Sequence, residues 1–111
     1  MTAVRTRALE LMSTVTFHEI GRDDLEAFAA KLADALRVVL AEYPSIQEFL
    51  VGADLETGDI NFGLRFISVD PDFADDMADE VLAKAVELIA EQGGARPTDV
   101  EREESVLLLT R

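Results

Sequence analysis

The 111 residues contain no cysteine, no tryptophan and a single histidine. Without cysteine the chain has no disulfide, no thiolate zinc or iron–sulfur site and no cysteine nucleophile. One histidine leaves no nitrogen ligand set for zinc, and the HExxH pattern that begins at His18-Glu19 breaks at Arg22. No metal site and no cofactor are therefore expected. Basic residues are scarce too: 10 Lys and Arg face 23 Asp and Glu, a net charge of −13. Nucleic-acid binding depends on cationic side chains displacing counterions from phosphates, so no nucleic-acid partner is expected. No apolar run is long enough to span a membrane. Residues 1–8 carry Arg5 and Arg7 with no apolar stretch of signal-peptide length behind them, which predicts a cytoplasmic protein with no membrane partner.

What remains is 49% hydrophobic residues, enough for one core in a chain of this length. The expectation is a flexible segment over residues 1–8 and a single domain over 9–111. Over residues 9–18 the apolar residues Leu9, Leu11, Val15 and Phe17 alternate with mostly polar ones, the two-residue period of a half-buried strand. Gly21 and Arg22 end it, and Asp23 with Glu26 forms an acidic relative of the helix capping box. Leu25, Phe28, Leu32, Leu36, Val39 and Tyr43 then recur at helical spacing up to Pro44. Residues 46–54 and 59–69 predict two strands joined by a turn that carries Gly58. A four-residue loop sets Glu48 opposite Arg65 and Phe49 opposite Leu64, a two-residue loop sets Phe49 against Phe66, and a three-residue loop is discounted because it mixes the faces. Asp70-Pro71 is a helix start, with the aspartate able to cap orphan amides. Ala74, Met77, Val81, Ala85, Leu88 and Ile89 form the apolar stripe of that helix, and Gly93-Gly94 stops it. After a polar turn over residues 95–99, residues 105–110 predict a last strand of undetermined facing.

The order strand, helix, strand, strand, helix, strand defines an α+β domain of split βαβ type. Right-handed crossovers place both helices on one face of a four-stranded antiparallel sheet, which resembles the ferredoxin-like superfold. That architecture hosts many unrelated functions. Asp75-Asp76-Met77-Ala78-Asp79 resembles the DDxxD pattern by which isoprenyl diphosphate synthases hold magnesium. Those enzymes are large helical bundles with two copies of the motif, so here it reads as a solvated first-turn face, with a weak magnesium or calcium site as the most it offers. The third strand invites comparison with RNA-recognition sheets, but Phe62 and Phe66 share the core row and the outward row holds no aromatic residue.

The sheet face away from the helices is the candidate functional surface. It is expected to collect Met12, Thr14, Thr16, His18, Ile46, Glu48, Leu50, Gly52, Asn61, Gly63, Arg65 and Ile67, with Gly52 and Gly63 leaving a depression free of side chains. Three functions follow. The first is a non-catalytic binding or regulatory module that forms a homodimer, or pairs with another protein, through this face. The second is a small cofactor-independent enzyme or ligand-binding protein, with His18 as acid or base and Arg65 and Asn61 steering an anionic or carbonyl substrate. The third is an acidic inhibitor of a basic partner, acting through the carboxylate rows of the second helix.

Overall fold

The alternation that opens the chain becomes a strand whose residues are buried and half-buried in strict turn, and the helical stripes fold down onto its buried row. A computed structural model describes residues 8–93 and 100–110. The elements are β1 (Ala8–Phe17), α1 (Arg22–Leu40), β2 (Ile46–Asp54), β3 (Asp59–Ile67), α2 (Pro71–Glu91) and β4 (Val100–Thr110). All pairings are antiparallel, and the sheet order is β2-β3-β1-β4. Of the segment expected to be flexible, Ala8 belongs to β1 and residues 1–7 lie outside the described residues. Gly94 and the turn over residues 95–99 lie outside them as well.

One side of the sheet supplies Leu9, Leu11, Val15 and Phe17 from β1 and Ile60, Phe62, Leu64 and Phe66 from β3. The buried stripes of α1 and α2 join these in a single core cluster. Phe17 meets Phe28 edge-on with ring centroids 4.8 Å apart, which pins the end of β1 to the first turns of α1.

Several boundaries differ from the sequence reading, each for a local reason. β1 stops at Phe17, because Ile20 N–H donates to the Phe17 carbonyl and turns the chain, leaving His18 in the turn. α1 starts at Arg22 with Gly21 as its N-cap residue, so Asp23 and Asp24 occupy the first turn and Asp23 is not the cap. That helix ends at Leu40, four positions before Pro44, and Tyr43 lies half-buried in the turns that follow. β3 ends at Ile67 because Ser68 takes a φ of +57°, which breaks the extended chain. Asp70 has the extended backbone of an N-cap, but its side chain makes no capping hydrogen bond. On α2, Ala78, Leu82 and Val86 are buried along with Ala74, Val81, Ala85 and Ile89. Met77 and Leu88 are partly buried at the margin.

The hairpin takes the four-residue loop: Asp54 pairs with Asp59, Phe49 with Leu64 and Glu48 with Arg65. Gly58 makes this possible with a φ of +79°, while its N–H donates to the Asp54 carbonyl at 2.8 Å. Arg22 Nη2 donates to the Glu56 carbonyl at 3.1 Å and ties the start of α1 to the loop. Two irregularities interrupt the ladders. One, between Ile46 and Glu48, moves Ile46 into the core and off the face where simple alternation puts it. The other lies in β4: Met12 pairs with Val106 and Ser13 with Glu104, so Ser105 is an extra residue. Leu107 and Leu109 then stand opposite Leu11 and Leu9.

Candidate functional site

The face away from the helices is organised in rows that cross the strands at right angles. Leu50, Gly63 and Met12 are successive register partners, and Val106 is the next partner on β4. This row is apolar throughout. On one side of it runs Glu48, Arg65 and Glu10, with Leu108 as the β4 partner. On the other side runs Gly52, Asn61 and Thr14, with Glu103 as the β4 partner. An apolar stripe is thus bordered by a charged row and a polar row.

Leu50 is 55% exposed and stands highest on the stripe. Gly63 is buried, because Met12 lies across it: a Cβ added there would meet Met12 Sδ at 2.6 Å and Leu50 Cβ at 3.4 Å. The expected depression over Gly63 is therefore filled by a thioether, while nothing lies within 4 Å of a Cβ at Gly52. A groove of about 280 Å³ remains beside the stripe, lined by Met12, Leu50, Gly63, Glu10, Glu48 and Arg65 among others. Arg65 Nη1 stands 4.0 Å from Glu10 and 3.9 Å from Glu48, and its Nε is buried with no hydrogen-bond partner. Glu10 thus belongs to the site although the sequence reading omitted it. Its even position on β1 was the available signal.

The other expected residues are placed as follows. Thr14 is half-buried, Asn61 is exposed, and Ile67 is half-buried opposite Ala8. Thr16 donates its hydroxyl to Asp59 Oδ1 at 2.8 Å. His18 is exposed in the turn beyond β1, whereas Arg65 pairs with Glu10 near the opposite end of that strand. At about 3.3 Å per residue, His18 and Arg65 stand about 26 Å apart, so one small substrate does not reach both. Among the described residues, no group of three His, Cys, Asp or Glu side chains is placed to hold a metal ion.

A second polar cluster lies on the core side. Arg102, 9% exposed, donates through Nε to Asp79 Oδ1 at 2.6 Å and through Nη1 to Ser13 Oγ at 2.8 Å, and pairs through Nη2 with Asp75. Burial disfavours the guanidinium charge, but the bonds to Asp79 and Asp75 outweigh it and raise the pKa of Arg102 above its ordinary value. The DDxxD-like stretch is therefore no plain solvated face, since two of its carboxylates hold β4 to α2. Ser13, 2% exposed and the only polar residue in the buried row of β1, was the sequence signal for this cluster.

The fold and its exposed sheet face define a small α+β domain of ferredoxin-like type, and no described helix is long and apolar enough to cross a membrane. No family model and no curated protein matches the sequence. Among solved structures it is similar to a de novo designed protein with a ferredoxin fold, at 15% identity and a TM-score of 0.52, over 89% of this chain and 85% of that one. At this identity the likeness shows the fold alone. An uncharacterized protein from Thermotoga maritima aligns at 12% identity and a TM-score of 0.40, over 96% of this chain and all of its own. A hydantoinase/carbamoylase family amidase from Burkholderia ambifaria aligns at 18% identity and 0.46, over 93% of this chain and 28% of the amidase.

Proposed function

We propose that the chain is a non-catalytic binding module that associates with a second copy of itself through the open sheet face. The observation that carries this reading is the apolar row of Leu50, Gly63 and Met12 across three strands, with Leu50 raised from it. Charge opposes a twin less on this side than on the helical one. The carboxylates beside the row, Glu10 and Glu48, flank Arg65, whereas the exposed sides of the helices carry an unbalanced excess of acid that would repel a second copy. Four strands about 4.8 Å apart and about ten residues long present about 600 Å² per copy. Two such faces bury about 1,200 Å², the lower end of specific protein interfaces. The groove by itself is at the small end for a ligand site, and the distance between His18 and Arg65 weighs against the enzyme reading.

Sedimentation velocity tests the proposal. The parent chain is expected to sediment as a dimer at micromolar concentration, and Leu50→Glu and Ile67→Glu as monomers with unchanged far-UV circular dichroism. Variants that dimerise as tightly as the parent would place the interface elsewhere. A monomer with bound small-molecule mass in a native mass spectrum would favour the ligand reading.

A further inference from the structure

We infer that Met12 is an oxidation site through which peroxides control the association of two copies, an inference that rests on the open-face reading above. The thioether lies flat on the sheet in the middle of the apolar row. Its Sδ and Cε stand 2.6 Å and 3.3 Å from where a Cβ on Gly63 would be, and Leu50 Cβ closes the far side. Met12 is half-buried and lines the groove, so its sulfur belongs to the open face and not to the core. Met77, also half-buried, lies on α2 at the margin of the core and not on the open face. The side chain of Met12 thus stands where a second copy would dock and where a small oxidant arrives from solvent when no copy is docked.

The chemistry is a two-electron oxygen transfer. A sulfur lone pair attacks the hydroxyl oxygen of the peroxide, an S–O bond forms, the O–O bond breaks, and the proton shed by the transferred oxygen passes through water to the departing one, which leaves as water or an alcohol. Sulfur is oxidised and the peroxide reduced. The slot over Gly63 is already filled by the thioether, so the new oxygen has no room against the sheet and is directed outward, into the layer that a second copy would occupy. A sulfoxide oxygen on this row has to give up its water when a second copy covers it. A two-fold interface places two of them in one dimer. Association in turn covers the sulfur, so the oxidant reaches Met12 chiefly in the separated chains.

The test uses the full chain treated with graded hydrogen peroxide, with sulfoxides located by peptide mass spectrometry and association read by sedimentation velocity. Oxidation at Met12 is expected to raise the dimer dissociation constant about tenfold or more. The Met12→Leu chain should keep its association through the same treatment, and Met12→Gln should reproduce the oxidised state without peroxide while retaining its circular dichroism. Met12 should also oxidise more slowly at protein concentrations above the dissociation constant. A dimer that keeps its constant with Met12 oxidised overturns the inference, as does a Met12→Leu chain that dissociates under peroxide like the parent. A chain that is monomeric before any peroxide is added fails at the open-face reading itself, and the untreated sample shows that separately.

Discussion

Arg102 is the residue whose loss should be felt most widely, because one guanidinium holds two carboxylates of α2 and the buried hydroxyl of Ser13. Breaking a buried ion pair by removing one partner costs about 3–5 kcal/mol. Asp79 is largely exposed and Asp75 partly so, and solvent screening lowers that figure. Arg102→Ala is expected to lose about 2–3 kcal/mol in urea unfolding, and Arg102→Lys to recover only part, since an ammonium does not span all three partners. Because folding raises the pKa of this group, its contribution is complete below the ordinary guanidinium value and fades only as pH climbs through the raised one. The gap between parent and Arg102→Ala should therefore stay constant from neutrality to about pH 10. The sequence held half of this cluster in plain view, a lone serine in an apolar row and an acidic pair one helical turn apart. The arginine that joins them was hidden because its facing depends on the extra residue in β4.

At the scale of the elements, periodicity located both helices and the first three strands. An aliphatic run located the second half of β4, which begins at Val100, five residues before the expected start, because its charged first half carries no such signal. Local backbone geometry decided where the earlier elements end. The third strand stops early because Ser68 sits in the left-handed region, which an L side chain occupies at a cost of about 1 kcal/mol. Ser68→Gly relieves that strain and gives back part of the gain through a more flexible unfolded chain. It is expected to stabilise the fold by about 0.5 kcal/mol, visible as a rise in Tm of a few degrees. The hairpin register was legible as one of two alternatives, and the Glu48 and Arg65 pairing belongs to the one adopted. Ile46 was misplaced on the open face because alternation knows nothing of an irregularity in the ladder. Capping was misread for a related reason. An aspartate before a helix identifies a boundary, yet whether Asp23 or Gly21 takes the cap depends on how the chain leaves β1.

For the whole molecule, the formal charge of −13 sets the conditions under which the proposed dimer is seen. Two chains of like charge repel, and salt screens that repulsion over a Debye length of about 10 Å at 0.1 M. Raising sodium chloride from about 0.05 M to about 0.5 M should therefore tighten self-association several-fold in a sedimentation series. Capture of a basic partner by the acidic helices would respond in the opposite direction, since screening weakens attraction between unlike charges. The architecture was readable from element order, because few topologies satisfy right-handed crossovers with this arrangement. The surface was readable only as a list of residues. Its division into apolar, charged and polar rows required the register of all the strands, which no periodicity in a single segment contains. The extra residue in β4 also makes that strand a ruler with a fixed offset. One half keeps Arg102 at its partners and the other keeps Leu107 and Leu109 opposite Leu11 and Leu9. Deleting Ser105 would bring Glu104 beside Val106, each still opposite its own partner on β1, so this edge strand should lose that one residue with both halves still aligned.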